Sequence, residues 1–114
     1  MAHDRSAATD TRDTASQVTR LIEQEPRVLF MKGTPDRPRC GFSQRAAGTL
    51  ARYGVDYTTV NVLSALPEYR EALESHSGWE TIPQLYVDDE FIGGSDIIVE
   101  LAERGELEER LAVE

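Results

Sequence analysis

Cys40 is the only cysteine in a chain of 114 residues, so no internal disulfide can brace the fold. Lysine is equally scarce: of twelve basic residues, Lys32 alone is a lysine and the rest are arginines. Positive charge is short altogether. Twelve basic residues stand against 21 acidic ones, a formal net charge of −9, which argues against general nucleic-acid binding because that needs a basic face. No apolar run approaches the roughly 20 residues of a membrane-spanning helix, and no membrane association is expected. The stretch from Met1 to Thr14 mixes Asp4, Arg5, Asp10, Arg12 and Asp13 without an apolar block. It reads as neither a secretory signal nor an arginine-rich transit peptide, so a cytoplasmic location is expected.

What is present is ordinary for one globular domain, with 39% hydrophobic and 29% charged residues. Residues 1–12 are expected to form a flexible polar extension, and 13–114 the domain. A first helix is expected from Thr14 to Glu25, with Asp13 as its cap and Val18, Leu21 and Ile22 at helical spacing; Pro26 stops it. Arg27 to Met31 is a short apolar run that fits a buried strand. Gly33 to Arg39 carries two prolines and a glycine and reads as a loop. A second helix follows from about Cys40 to Arg52, ended by Gly54. Val55 to Val62 reads as a second strand, and strand–helix–strand at this spacing implies a parallel pair with a right-handed crossover. Pro67 opens a third helix to about Ser75. Gln84–Val87 and Glu90–Ile92 form a hairpin across Asp88-Asp89, and after Gly93-Gly94 a last helix carries Ile97, Ile98 and Leu101. The sum is an α/β domain: a small four-stranded mixed sheet with helices on both faces.

Cys40 falls where a loop ends and a helix begins. Unpaired backbone N–H groups and the helix dipole favour a thiolate there, the form that attacks and that binds metal. Gly41 lets backbone approach closely, and Phe42 is expected to shield the sulfur. Ser43 takes the place at which a Cys-x-x-Cys pair would keep its second sulfur, so a two-cysteine cycle within one chain is excluded. Between Lys32 and Arg45 lie four cations (Lys32, Arg37, Arg39, Arg45) and one anion, Asp36. This is a basic island around the thiol in an acidic chain. Pro83, just ahead of a strand, is equally compatible with a cis and a trans bond.

Four blocks together carry a resemblance: Phe30-Met31-Lys32-Gly33-Thr34-Pro35, Pro38-Arg39-Cys40-Gly41-Phe42-Ser43, Trp79 to Tyr86 with Thr81-Ile82-Pro83-Gln84, and Gly93-Gly94-Ser95-Asp96. From about Ala15 onward the chain resembles the monothiol, CGFS-type glutaredoxins. The resemblance implies a thioredoxin fold, a cis peptide at Pro83 and a groove for glutathione or a related γ-glutamyl thiol. Lys32 and Arg70 would hold the glycine-end carboxylate, the Ile82 backbone would pair with the peptide's cysteine, and Ser95 backbone with the Asp96 carboxylate would hold the γ-glutamyl end. Cys40 would be both the catalytic thiol and the metal ligand. Glu80, Asp88-Asp89 and Ser95 depart from the family pattern, where proline, a glycine turn and a second cysteine are usual.

An iron–sulfur cluster ordinarily takes four thiolates. One chain offers one; two chains and two thiol tripeptides complete the set. The resemblance therefore implies a [2Fe–2S] carrier or assembly factor, bridged as a homodimer and serving apo iron–sulfur proteins. The alternatives are a glutathione-dependent thiol–disulfide oxidoreductase acting through Cys40, and an adaptor that binds a BolA-like partner.

Overall fold

The computed structural model describes residues 11–112. Of the expected extension over 1–12, only the last two residues fall within that range. Helix α1 runs Thr11–Gln24, so the helix starts ahead of Thr14 and Asp13 lies in its first turn instead of capping it. Strand β1 is Arg27–Met31, α2 is Gly41–Ala51 and β2 is Thr58–Asn61. A 3-10 turn at Val62–Ala65 leads into α3, Leu66–Ser77. Strands β3, Gln84–Val87, and β4, Glu90–Gly93, then precede α4, Ser95–Glu103, and the short α5, Leu107–Arg110. No helix among the described residues is long and apolar enough to cross a membrane.

The sheet order is β2-β1-β3-β4. β1 pairs parallel with β2 and antiparallel with β3, and β3 pairs antiparallel with β4. Side chains alternate across a strand, and β1 shows the consequence. Leu29 and Met31 join Ala46, Ala47, Leu50, Ile98 and Leu101 beneath α2 and α4. Val28 and Phe30 join Val18, Ile22, Tyr69 and Leu73 beneath α1 and α3. Phe30 is fully buried and meets Tyr86 edge-on, ring centroids 5.9 Å apart; burying one such side chain contributes about 1.5–3 kcal/mol.

β2 is shorter than its sequence pattern. Asn61 ends it: its Oδ1 accepts from Leu63 N–H at 3.1 Å, starting the 3-10 turn, and from Gly33 N–H at 3.0 Å. Val55 and Tyr57, read as strand, instead pack as irregular chain against the α2–α4 core. Asn61 thereby ties the loop after β1 to the end of β2. Within that loop Arg39 N–H returns to Lys32 O at 2.9 Å. Gly33, at φ 91°, allows this closure; a Cβ there would lie 2.5 Å from Arg37 O.

Asp88 and Asp89 both hold positive φ, 51° and 68°, the pattern of a type I′ hairpin turn that favours glycine at its second position. Asp89→Gly is expected to stabilise the protein by about 0.5–1 kcal/mol by relieving left-handed strain. An upward shift of the urea midpoint at unchanged slope would show it.

Candidate functional site

Three chain reversals meet at one end of the sheet: the exit of β1, the entry of β3 and the exit of β4. The first starts α2. Cys40 is its N-cap, extended at φ −157° and ψ 156°, and its Sγ accepts the Ser43 N–H at 3.3 Å. Ser43 is fully buried. Its hydroxyl oxygen accepts the Lys32 N–H at 3.0 Å and lies 3.4 Å from Cys40 Sγ. Because that oxygen already accepts from Lys32, the Ser43 proton is free to point at the sulfur when the thiol ionises. Burial pushes the Cys40 thiol up, but the Ser43 hydroxyl, the Ser43 and Phe42 backbone N–H groups and the Lys32 charge outweigh it and hold the thiol below its ordinary value.

The sign follows directly. A lowered pKa gives Cys40 a larger thiolate fraction at neutral pH than a free thiol has. Ser43→Ala removes the hydroxyl and keeps the N–H, so the midpoint of alkylation rate against pH should move up. A midpoint that stays in place would show that the backbone groups alone set the thiolate.

Beside the thiol lies a cleft of about 740 Å³ whose lining includes Lys32, Arg70, Ile82, Ser95 and Asp96. All five binding residues expected from the sequence thus share one cavity. Cys40 is not in the lining; it stands at the edge, next to Phe42 and Lys32, which are. The Ile82–Pro83 peptide is cis. Gly94 is the N-cap of α4 and supplies no side chain to its first N–H groups, leaving a helix start in the cleft wall that suits a carboxylate. Gly93, at φ 149°, keeps this corner tight: a Cβ there would fall 2.6 Å from Ile97 Cβ.

Phe42 does not bury its ring over the cleft floor. The ring is 56% exposed, and the Arg45 guanidinium sits 5.7 Å from its centroid. Arg45 also donates to Asp96 Oδ1 at 3.4 Å, a solvent-exposed pair joining α2 to α4. Trp79 and Ile97, 61% and 42% exposed, complete an apolar rim, and the lining combines apolar Ile82, Pro83, Phe91 and Ile92 with the charged Lys32, Arg70 and Asp96.

Sequence reasoning missed three participants. Ser43 was read only as the place of an absent sulfur, and Arg45 only as part of a basic island. Gln84 was read as the first residue of a strand. It is 1% exposed, lines the cleft and bonds the loop that carries Trp79.

A thiol at a helix start, a cis-proline wall and a cleft bearing Lys32, Arg70 and Asp96 on a four-stranded mixed sheet define a thioredoxin-fold thiol protein. The glutaredoxin family model matches residues 28–92. The mitochondrial monothiol glutaredoxin-5 of Saccharomyces cerevisiae is 53% identical over 93 residues, covering 79% of this chain and 61% of the relative's length. A probable monothiol glutaredoxin of Legionella pneumophila is 52% identical over 84 residues, covering 74% of this chain and 93% of the relative. Among solved structures, the holo form of glutaredoxin C1 from Populus tremula x tremuloides superposes with a TM-score of 0.76 at 26% identity, covering 90% of this chain and 89% of that one. The chain belongs to the glutaredoxin family, in its monothiol branch.

Proposed function

We propose that the protein carries a [2Fe–2S] cluster as cargo between iron–sulfur proteins, with glutathione or a related γ-glutamyl thiol seated in the cleft. The observation that carries this reading is one activated sulfur at the edge of a cleft whose cations and carboxylate match the charges of a zwitterionic peptide. Lys32 and Arg70 offer charge-assisted donors to its glycine-end carboxylate. The open start of α4 at Ser95 offers N–H donors to the γ-glutamyl carboxylate, and Asp96 accepts from its ammonium.

Sulfur arithmetic supports sharing. Each chain supplies Cys40 alone, and among the described residues no group of three or more His, Cys, Asp or Glu side chains is placed to hold a metal ion. Four thiolates therefore require two chains and two bound thiols. The holo state of the poplar structure is in keeping with a cofactor-loaded form. Apo iron–sulfur proteins would receive the cargo, and the exposed rim of Phe42, Trp79 and Ile97 offers a seat for them or for a BolA-like partner.

Anaerobic reconstitution with iron and sulfide, with and without glutathione, tests this. A coloured dimer by native mass is expected only when glutathione is present. A coloured monomer, or a stable cluster without added thiol, would overturn it.

The lowered pKa of Cys40 favours a second reading, thiol exchange. The thiolate attacks the glutathione sulfur of a protein mixed disulfide and releases the protein thiolate, leaving glutathione bound to Cys40. A second glutathione thiolate then attacks that sulfur, freeing Cys40 and leaving oxidised glutathione. Turnover of a glutathionylated peptide with reduced glutathione measures it directly.

A further inference from the structure

One wall of the cleft, from Trp79 to Ile82, has no regular secondary structure, yet its backbone is tied at point after point. Gly78 N–H closes α3 on Glu74 O at 2.8 Å. Trp79 N–H donates to Ser77 Oγ at 3.0 Å. The carbonyls of Trp79 and Thr81 accept from one group, the Gln84 amide, at 2.7 and 3.0 Å. On its other side Gln84 Oε1 accepts from the Tyr86 hydroxyl at 2.8 Å and lies 3.1 Å from Ser77 Oγ. Two carbonyls can only face the NH₂ group and two hydroxyls can face the oxygen, so the chemistry of the partners sets the amide's orientation. Both donors are used and the oxygen accepts from Tyr86, while the one Ser77 proton is shared among Gln84 Oε1, Leu73 O and Trp79 O, each 3.1 Å away. Burial pushes Tyr86 up to about 12, with the Ser77 hydroxyl opposing, so its hydroxyl remains a donor across the working pH range.

The bonds of this side chain run to Ser77 at the end of α3, to Trp79 and Thr81 in the loop that follows, and to Tyr86, two residues along the same strand. A polar side chain 1% exposed is costly unless it is hydrogen-bonded, and a satisfied buried network holds its partners rigidly in place. We propose that Gln84 is the positioning residue for the Trp79–Ile82 wall, holding the cleft in the shape that takes up the thiol peptide; this rests on the glutathione reading of the cleft. Without the amide, the Thr81 carbonyl loses its Gln84 donor and the Trp79 carbonyl keeps only the Ser77 hydroxyl, 3.1 Å away. Ile82, whose backbone would pair with the peptide's cysteine, shifts with them. Binding then has to order the loop first, and affinity falls by that cost.

Trp79 is the chain's one tryptophan, so its fluorescence reports this wall alone. Gln84→Met keeps the length and apolar bulk of the side chain and removes both donors. It should weaken binding of reduced glutathione about tenfold, change acrylamide quenching of Trp79, and speed amide exchange over 79–82 while α2 and β1 keep parental protection. Tyr86→Phe retains both Gln84 donors and should stay within about twofold of the parent. Ile98→Val, across the sheet, should lower Tm without changing glutathione affinity. Parental affinity and quenching in Gln84→Met would overturn the proposal, as would a weakening that Ile98→Val reproduces at equal loss of Tm. If the parent itself takes up no glutathione, the reading of the cleft falls. Quenching and exchange still decide whether Gln84 holds the wall.

Discussion

Cys40→Ser should remain colourless after anaerobic reconstitution with iron, sulfide and glutathione, and should run as a monomer by native mass. The loss is expected to be complete because no second cysteine exists in the chain, and a serine hydroxyl does not ionise to replace a thiolate near neutral pH. Cys40 is the N-cap of α2, and serine is a strong N-cap residue in its own right, so the helix start should survive. Unchanged far-UV circular dichroism would show that the fold is intact and that only the ligand is gone. Ser43→Ala makes the informative contrast. It leaves the sulfur in place and so should still colour, but its thiol protonates at higher pH than the parent's. Metal-bound thiolates compete with protons, so colour should fade earlier in Ser43→Ala as pH falls. A coloured Cys40→Ser dimer would remove the thiol from the ligand set altogether.

The fold was legible in the sequence wherever one local pattern decides an element. β1 reads as a strand because four successive apolar residues serve two opposite cores, and α2 begins where the prolines of the preceding loop stop. β2 is shorter than its pattern at both ends: Val55 and Tyr57 pack against the α2–α4 core ahead of the strand, and the far end is set by Asn61, whose partners Gly33 and Leu63 include one 28 residues away. No local pattern carries that information. Lys32, Ile82, Ser95 and Asp96 lie in the four sequence blocks and Arg70 came from the family resemblance alone, and the structure places all five in the lining of one cavity. Gln84 escaped notice for a physical reason. A glutamine at the head of a strand ordinarily faces solvent, and only the return of the chain after α3 supplies the carbonyls that draw it inside. Arg45 was missed similarly, since its meeting with Asp96 depends on α2 packing beside α4 and not on spacing within either helix.

Lys32→Glu should weaken binding of reduced glutathione by more than the roughly 10- to 100-fold expected of Lys32→Ala. Removing a charged hydrogen-bond donor costs about 1.5–3 kcal/mol, and each 1.4 kcal/mol is about tenfold in affinity. The glutamate adds repulsion between like charges at the same carboxylate. The backbone of Lys32 is held independently of its side chain, by Ser43 Oγ on the N–H and Arg39 N–H on the carbonyl, so the loop should keep its course in both variants. Lys32 is also one of the groups that hold the Cys40 thiol down. Reversing its sign disfavours the thiolate, so the alkylation midpoint should rise along with the dissociation constant. Lys32→Arg keeps the charge in a chain already rich in arginine and should restore most of both properties. Titration calorimetry with reduced glutathione, alongside alkylation rate against pH, separates the two effects. A glutamate variant that binds glutathione as tightly as the parent would mean the peptide carboxylate does not lie at Lys32. A midpoint that moves without any change in affinity would assign Lys32 to the thiol alone and leave Arg70 as the cation that receives the ligand.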